Sequence, residues 1–418
     1  MIDLAVLRES PGALRDALRR RNTAIDVDVL VDLDEQRRTV RSEAERVRAE
    51  QKLAGKEIPS LSGEIRQKAI DDAGLLAEAY KRLLAEADEL DERFHDLWIN
   101  VPNMAHQSAP DGTTEEDAVE VRRWGTPAVF EFQVRDHQDL GESLGIIDIE
   151  RAARLSGSRF AYLKGEAALL ELGLVRFAMD RLTAEGFTPV VPPVLVREEA
   201  LFGSGFFPTD HDQVYAVERD ELFLVGTSEV SLAALHLDEI LDTEELPVRY
   251  AGFSTCFRRE AGTYGKDTRG IFRMHQFDKV EMFSFCHPED SWEEHEYMLS
   301  IEEQLLQALE LPYRVVNVAA GDLGASAAKK YDIEVWLPSQ ETFREITSCS
   351  NTTDYQARRL RARFRDETGT RLVHTLNGTV VTSSRTVLAI IENHQQSDGS
   401  VRIPAALQPY VGFDAISP

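Results

Sequence analysis

The hydrophobic rhythm of the chain changes near residue 100. Before it, apolar side chains recur every seven residues at Leu33, Val40, Val47 and Ala54, with Leu30, Ala44 and Ile58 at companion positions. Pro59-Ser60-Leu61-Ser62-Gly63 breaks this helical pattern, because proline cannot donate the amide a helix interior needs. The pattern resumes to about Ile99, with Leu76, Leu83, Leu90 and Leu97 on one series and Ala73, Tyr80, Ala87 and Phe94 on another. A seven-residue apolar repeat gives a left-handed coiled coil. Residues 27–99 are therefore predicted to form an antiparallel coiled-coil hairpin, a projecting arm within an N-terminal unit of residues 1–100.

Residues 101–125 read as a linker. Asn100-Val101-Pro102-Asn103, Ala109-Pro110-Asp111-Gly112 and an acidic run carry little apolar periodicity. From 126 to 418 short apolar runs alternate with helices. Val190-Val191 and residues 222–225, 280–285 and 313–318 are strand-like, and residues 165–185 have a helical pattern. The fold class is mixed α+β, without strict strand–helix–strand alternation. No GxxxxGK[ST] loop and no GxGxxG turn occur, so a nucleotide would be held another way, with arginines.

Charge refines this picture. The 418 residues carry a net charge of −26, which taken alone argues against a polyanionic partner. The distribution says more. Residues 37–68 hold nine basic side chains, Arg37, Arg38, Arg41, Arg46, Arg48, Lys52, Lys56, Arg66 and Lys68, against five acidic ones. This window straddles the tip of the predicted hairpin. It reads either as a solvated face or as a surface tracking RNA phosphates, and an extended arm suits a stem recognised by shape and backbone. No apolar run approaches the roughly 20 residues of a membrane span, and the N-terminus lacks a signal pattern, so a cytoplasmic location is expected. Cys256, Cys286 and Cys349 form no CxxC pair; neither a disulfide framework nor a zinc site is expected.

The segment richest in candidate chemistry is TCFRREAGTYGKDTRGIFRMHQFDKVEM, residues 255–282. Arg258, Arg259, Lys266, Arg269, Arg273 and Lys279 stand among glycines and aromatics. Arginine grips phosphate or carboxylate through a rigid fork, and Gly262, Gly265 and Gly270 permit a tight connection between two strand-like runs. A triphosphate cradle is one reading; a surface hairpin of solvated charges is the other.

This segment closely resembles the second signature motif of class II aminoacyl-tRNA synthetases, in the form typical of bacterial seryl-tRNA synthetases. GFTPVVPPVLV (186–196) resembles that family's first motif, a dimer-interface element. GTSEV (226–230) resembles its serine-binding T-x-E element. REITSCSNTTDYQARR (344–359) and TLNGTVVTSSRTVLAIIENHQ (375–395) resemble the region ending in its third motif. The resemblance covers nearly the whole chain, and the heptad hairpin stands where the family has its tRNA-binding arm.

The resemblance implies a class II antiparallel sheet with flanking helices over 126–418. It implies ATP and Mg²⁺ without zinc, a homodimer, and transfer of L-serine to tRNA(Ser); whether tRNA(Sec) is a second acceptor stays open. The catalytic residues implied are Arg258, Glu345 and Arg385. Arg258 would span the ATP α-phosphate and the serine carboxylate. The ATP site would comprise Arg258, Arg259, Glu260, Arg273, Met274, Phe277, Glu345, Ile346, Thr347, Ser348 and Arg385. Within it, Glu260 would accept from the adenine amine and Phe277 and Arg385 would sandwich the purine. Glu345 and Ser348 would meet the metal. The serine site would comprise Thr227, Ser228, Glu229, Arg258, Glu281 and Thr379, with Thr227 and Glu229 on the ammonium group and Glu281 and Thr379 on the hydroxyl. Arg37, Arg38, Arg41, Arg48, Lys52 and Lys56 would meet tRNA.

The sequence departs from the family pattern in places. Val230-Ser231-Leu232 stands where Val-Pro-Leu is usual, so a looser backbone behind the serine pocket is expected. Thr263-Tyr264 replaces smaller residues in the second motif. These departures admit a specialised paralog, for antibiotic resistance or biosynthesis. A synthetase relative that loads a carrier protein is disfavoured by the hairpin. A non-catalytic RNA-binding protein is disfavoured by the full set of ATP-facing charges.

Overall fold

The computed structural model describes residues 1–262, 267 and 269–418. Thr263, Tyr264, Gly265 and Lys266, singled out above, lie outside the described residues. The chain divides into two compact units, residues 2–101 and residues 102–418, the latter joined by Met1.

In the first unit, helix α1 (Val27–Glu57) begins at Asp26, whose carboxylate accepts from the Asp28 amide, and ends where Ile58–Ser60 tightens into a 3₁₀ turn. Helix α2 (Gly63–Trp98) follows. The apolar seam of α1 buries Leu30, Leu33, Ala44 and Val47. That of α2 buries Ala87, Leu90, Phe94 and Trp98. Leu97, placed on the seam by the heptad reading, is 40% exposed and Trp98 takes its place. The reason is geometric: an α-helix turns once per 3.6 residues and drifts about 20° per heptad from a strict seven-residue stripe. No residue from 48 to 86 is buried, since two helices alone cover only one face of each other. Two short helices, Leu4–Glu9 and Pro11–Arg20, precede the hairpin. They are tied to it by Arg8, which donates to the Asp34 carboxylate at 2.8 Å.

The second unit is built on an eight-stranded sheet. In chain order its strands are β1 (Val119–Trp124), β2 (Thr188–Val190), β3 (Val248–Phe257), β4 (Gln276–Cys286), β5 (Tyr313–Asn317), β6 (Lys329–Leu337), β7 (Thr342–Thr353) and β8 (His374–Thr382). Their spatial order is β1-β5-β6-β7-β8-β4-β3-β2. Every pairing is antiparallel except β2 with β3. The strand-like runs named above fall on β2, β4, β5 and a short strand Leu222–Leu224. In β6, Tyr331, Ile333, Val335 and Leu337 are buried in alternation, as period-two geometry requires. They meet the apolar residues of helices α3 (Glu166–Ala184), α4 (Ser291–Ala308) and α5 (Ser383–Asn393) in the main core.

One boundary differs from the sequence reading. Residues 119–124, assigned there to the linker, form edge strand β1 against β5. All six of its residues are exposed, so Val-Glu-Val-Arg-Arg-Trp carries no burial pattern that would mark a strand.

Three register irregularities lie in the middle of the sheet, one of them between β7 and β8 at Thr352, and the other two beside the candidate site. Between β4 and β8, Val280 opposes Val381 while Glu281 opposes Thr379, leaving Val380 extra. Between β6 and β7, Ile333 opposes Thr347 while Glu334 opposes Glu345, leaving Ile346 extra. A bulge re-aims the side chains beside it, and both flank candidate site residues.

Candidate active site

Two cavities open on the polar face of this sheet and share a wall. The first is lined by Arg258, Glu260, Arg273, Met274, Phe277, Glu345, Ile346, Thr347, Ser348 and Arg385, with Lys279 and Thr379 at its edge. The second is lined by Thr227, Glu229, Glu281, Asn377 and Lys330, and again by Arg258, Glu260, Arg273, Lys279, Ser348 and Thr379. Sixteen positions were implied for the two small-molecule sites; Arg259 and Ser228 line neither cavity.

The second-motif segment folds as strand β3, a connection and strand β4, with Phe277 opposite Cys256 and Glu281 opposite Gly252. Arg258 leaves the end of β3. Its Nε donates to the Gly226 carbonyl at 3.1 Å and its guanidinium lies 5.2 Å from the Phe277 ring centre. Arg258 lines both cavities. Arg259, the next residue, turns the other way and lies 5.1 Å over Tyr215. Consecutive side chains at a strand end point to opposite faces, which removes Arg259 from the nucleotide cavity.

Glu260 pairs with Arg273 at 3.0 Å, and Asp267 receives both Arg273 and Arg344. Gly270 has φ +73°, and a Cβ there would lie 1.9 Å from His137 Nε2. The contact is close because the Ile271 amide donates to that nitrogen, while the Gly270 amide donates to Gln138. A backbone this near a ring leaves room for glycine alone.

The third-motif cation Arg385 projects from the first turn of α5. It donates to the Glu345 carbonyl at 3.0 Å and to its carboxylate at 3.2 Å, and stacks 4.8 Å over Phe272. Against the cost of burial, Lys330 and then Arg385 hold the Glu345 carboxyl well below the usual carboxylate range. Thr347 lines the cavity, but its hydroxyl donates to the buried Glu302 at 3.1 Å. Ile346 belongs to the core cluster. What these two residues can offer a nucleotide is backbone.

In the second cavity Thr227 Oγ1 accepts from the Glu229 amide at 3.2 Å. One oxygen of Glu229, Oε1, receives Gln356 at 2.7 Å and Asn377 at 3.0 Å. Burial, then the charge of Glu281, pushes the Glu229 carboxyl up to about 7. The Glu281 carboxylate receives Thr379 at 3.2 Å and pairs with Lys279. Ser228 faces the other way: it is fully buried, and a Cβ added at Gly252 of β3 would lie 3.2 Å from its hydroxyl. The Ser231 departure has a structural substitute, since its hydroxyl donates to the Pro193 carbonyl at 2.6 Å and ties down the same backbone.

Lys330, Gln356 and Asn377 escaped the sequence reading as site residues, and Lys279, read there as a cation of the phosphate cradle, pairs instead with Glu281. Lys279 had a signal, since it stands two residues before Glu281 on one strand and shares its face. Gln356 and Asn377 had none, because each acts through Glu229.

On the hairpin, the implied tRNA-binding cations divide. Arg37 is engaged by Asp34 and Asp91 and lies 4.2 Å over Phe94. Arg38 pairs with Asp34, and Arg41 with Asp88 and Asp91. Arg48 donates to Tyr80 at 2.7 Å. Lys52 and Lys56 are exposed.

Glu345 and Ser348, the residues that would hold the magnesium ion implied by the resemblance, both line the nucleotide cavity and offer hard oxygen donors. Among the described residues no three His, Cys, Asp or Glu side chains gather as a metal group. Two protein oxygens would suffice for an ion whose role would be to neutralise phosphate charge.

Comparison with known proteins agrees with this geometry. Residues 1–105 match the seryl-tRNA synthetase N-terminal domain, and residues 214–394 the class II tRNA synthetase core domain (G, H, P, S and T). A serine–tRNA ligase of Thermobifida fusca is 52% identical over 100% of this chain and 99% of its own. One from Acidothermus cellulolyticus is 51% identical over the whole of both. The solved structure of seryl-tRNA synthetase from Pyrococcus horikoshii complexed with ATP aligns with TM-score 0.95 at 44% identity over the whole of both chains. With its heptad hairpin, its bulged antiparallel sheet and its paired cavities, the chain belongs to the seryl-tRNA synthetase family.

Proposed function

We propose that this chain activates L-serine with ATP and transfers it to the 3′ end of tRNA(Ser). The observation that carries the reading is the shared wall between the cavities, where Arg258, Lys279, Ser348 and Thr379 line both. Two substrates bound on either side would meet at the guanidinium of Arg258.

The nucleotide would lie in the first cavity, its purine against Phe277 and Arg385 and its amine near Glu260. Serine would lie in the second, its ammonium toward Thr227 and Glu229 and its hydroxyl toward Glu281 and Thr379. A serine carboxylate oxygen attacks the α-phosphorus. The bond from that phosphorus to the bridging oxygen of the β-phosphate breaks, and pyrophosphate leaves. Both reacting groups are anionic, so a fixed cation between them is the main requirement; Arg258 meets it by preorganised charge. No general base is needed, since the carboxylate is already ionised at neutral pH. Bound Mg²⁺ would supply further neutralisation of phosphate charge. In the second step a ribose hydroxyl of tRNA attacks the acyl carbon and AMP leaves.

Selection of serine follows from the buried Glu281–Thr379 pair. Alanine would leave these groups facing no hydroxyl, and a site built for a hydroxyl can reject its absence by about 10⁴–10⁵. The extra methyl of threonine would have to be excluded by shape. The specialised-paralog reading has less support, because every proposed ATP-facing charge is present and the relatives are similar over the full chain.

The tRNA would be gripped by the hairpin. Lys52 and Lys56, exposed, are the best placed cations. Arg37, held between two carboxylates and an aromatic ring, serves the hairpin itself. A homodimer is proposed, with the hairpin of one subunit presenting tRNA to the other's active site, and a cytoplasmic location. Among the described residues no helix is long and apolar enough to cross a membrane. Charging of tRNA(Ser) transcripts with labelled serine tests the proposal; transfer to a carrier protein instead would overturn it.

A further inference from the structure

Lys279 is 5% exposed, and its partner Glu281 2%. A buried ammonium is costly unless it is paired, so its place beside the cavities needs a reason. Strand β4 provides the geometry. Lys279 and Glu281 are two residues apart and share a face, and the bulge at Val380 sets Thr379 opposite Glu281. The result is asymmetric. Oε2 of Glu281 both pairs with Lys279 and receives the Thr379 hydroxyl. Among the described residues Oε1 accepts no hydrogen bond, and Glu281 lines the second cavity. One oxygen is saturated and the other is left for a ligand.

We propose that Lys279 is a specificity-determining positioning residue: it holds the Glu281 carboxylate turned so that its second oxygen can accept the hydroxyl of the amino-acid substrate. The inference rests on the assignment of the second cavity to serine. Without that ion pair the orientation of the carboxylate is no longer fixed, and its open oxygen can turn toward another donor. It would then accept the substrate hydroxyl less well and penalise alanine less. Lys279 therefore sets the difference between serine and its deoxy analogue rather than the rate of attack at phosphorus. The neighbouring charges that face it are consistent with this role. Glu229 stands across the cavity, close enough for its ionisation to respond to both Glu281 and Lys279, while Arg258 supplies the cation at the wall.

The test is ATP–pyrophosphate exchange with the full-length protein and its Lys279→Met and Lys279→Arg variants, using serine and alanine. For Lys279→Met the expected result is a serine KM raised about 10-fold or more and a serine-over-alanine preference reduced about 10-fold or more, with the ATP KM within about two-fold of wild type. Lys279→Arg, which keeps the charge, should recover a substantial part of the preference. An unchanged preference in Lys279→Met, or equal losses for serine, alanine and ATP at an unchanged melting temperature, would overturn the inference. Should Lys279→Met fail to fold, Lys279→Gln takes its place, and an unchanged serine-over-alanine preference in that variant would overturn the inference as well. Wild-type exchange separates the two levels: no serine-dependent exchange in the unaltered protein would sink the serine reading itself.

Discussion

At the scale of single residues, charge decides more than shape. Arg258 lines both cavities, and among the described residues its one side-chain hydrogen bond is from Nε to the Gly226 carbonyl. Arg258→Ala is expected to lower kcat for exchange by about 10²-fold, on the order of 3 kcal/mol, the scale of losing one preorganised electrostatic contact. Steady-state exchange with circular dichroism as a folding control checks this. Glu229 makes a pH prediction. Its carboxyl titrates near about 7 because burial and Glu281 favour the protonated form. The raised value means that this proton stabilises the ligand-free fold at acid pH, and that the contribution fades as pH rises through about 7. A substrate ammonium prefers the ionised form, so serine binding should release a proton and the serine KM should rise as pH falls below about 7. In Glu229→Gln the KM should be high and flat with pH; an unchanged slope in that variant would contradict the assignment. The residue scale is also where sequence reading stops. Thr227, Glu229, Glu281 and Thr379 were legible as a set through resemblance. That Ser228 turns inward and Arg259 outward depends on the direction of a strand end and a helix start, which no motif records.

At the scale of elements, the sequence was read best where periodicity is long. Hairpin helices of 31 and 36 residues were visible from their heptads, and the drift of the seam to Trp98 is the difference between a period of 3.5 and one of 3.6. Strand β1 was invisible because all six residues are exposed. The bulges at Val380 and Ile346 were equally hidden, being properties of register between strands far apart in sequence. Among the proposed tRNA contacts, structure separates cations that hold the hairpin together from those that do not. Lys52→Glu with Lys56→Glu should leave pyrophosphate exchange unchanged and weaken tRNA charging. Each lost phosphate contact should reduce the salt slope of binding by about one. Filter binding against salt concentration measures it, and an unaltered slope would move the contact elsewhere on the hairpin.

At the scale of the whole molecule, a net charge of −26 must accommodate a polyanion. The basic window on the hairpin is the local exception, and confining affinity to it would suppress unproductive binding elsewhere by like-charge repulsion. The proposed dimer adds a test of its own. Sedimentation should give twice the 47.0 kDa chain mass. Mixed dimers of Arg258→Ala subunits with Lys52→Glu, Lys56→Glu subunits should regain charging that neither variant has alone, because one intact hairpin would face one intact site across the dimer. No recovery in verified mixed dimers would place the hairpin and its site within one subunit.

The central claim is that the second cavity selects serine for adenylation. Its most direct test is amino-acid-dependent ATP–pyrophosphate exchange with serine, threonine, alanine and cysteine side by side. Strong exchange with serine alone is the predicted result. Strong exchange with a different amino acid would contradict the roles given to Glu281 and Thr379 while leaving the fold intact, and no exchange with any of the four would contradict serine activation itself.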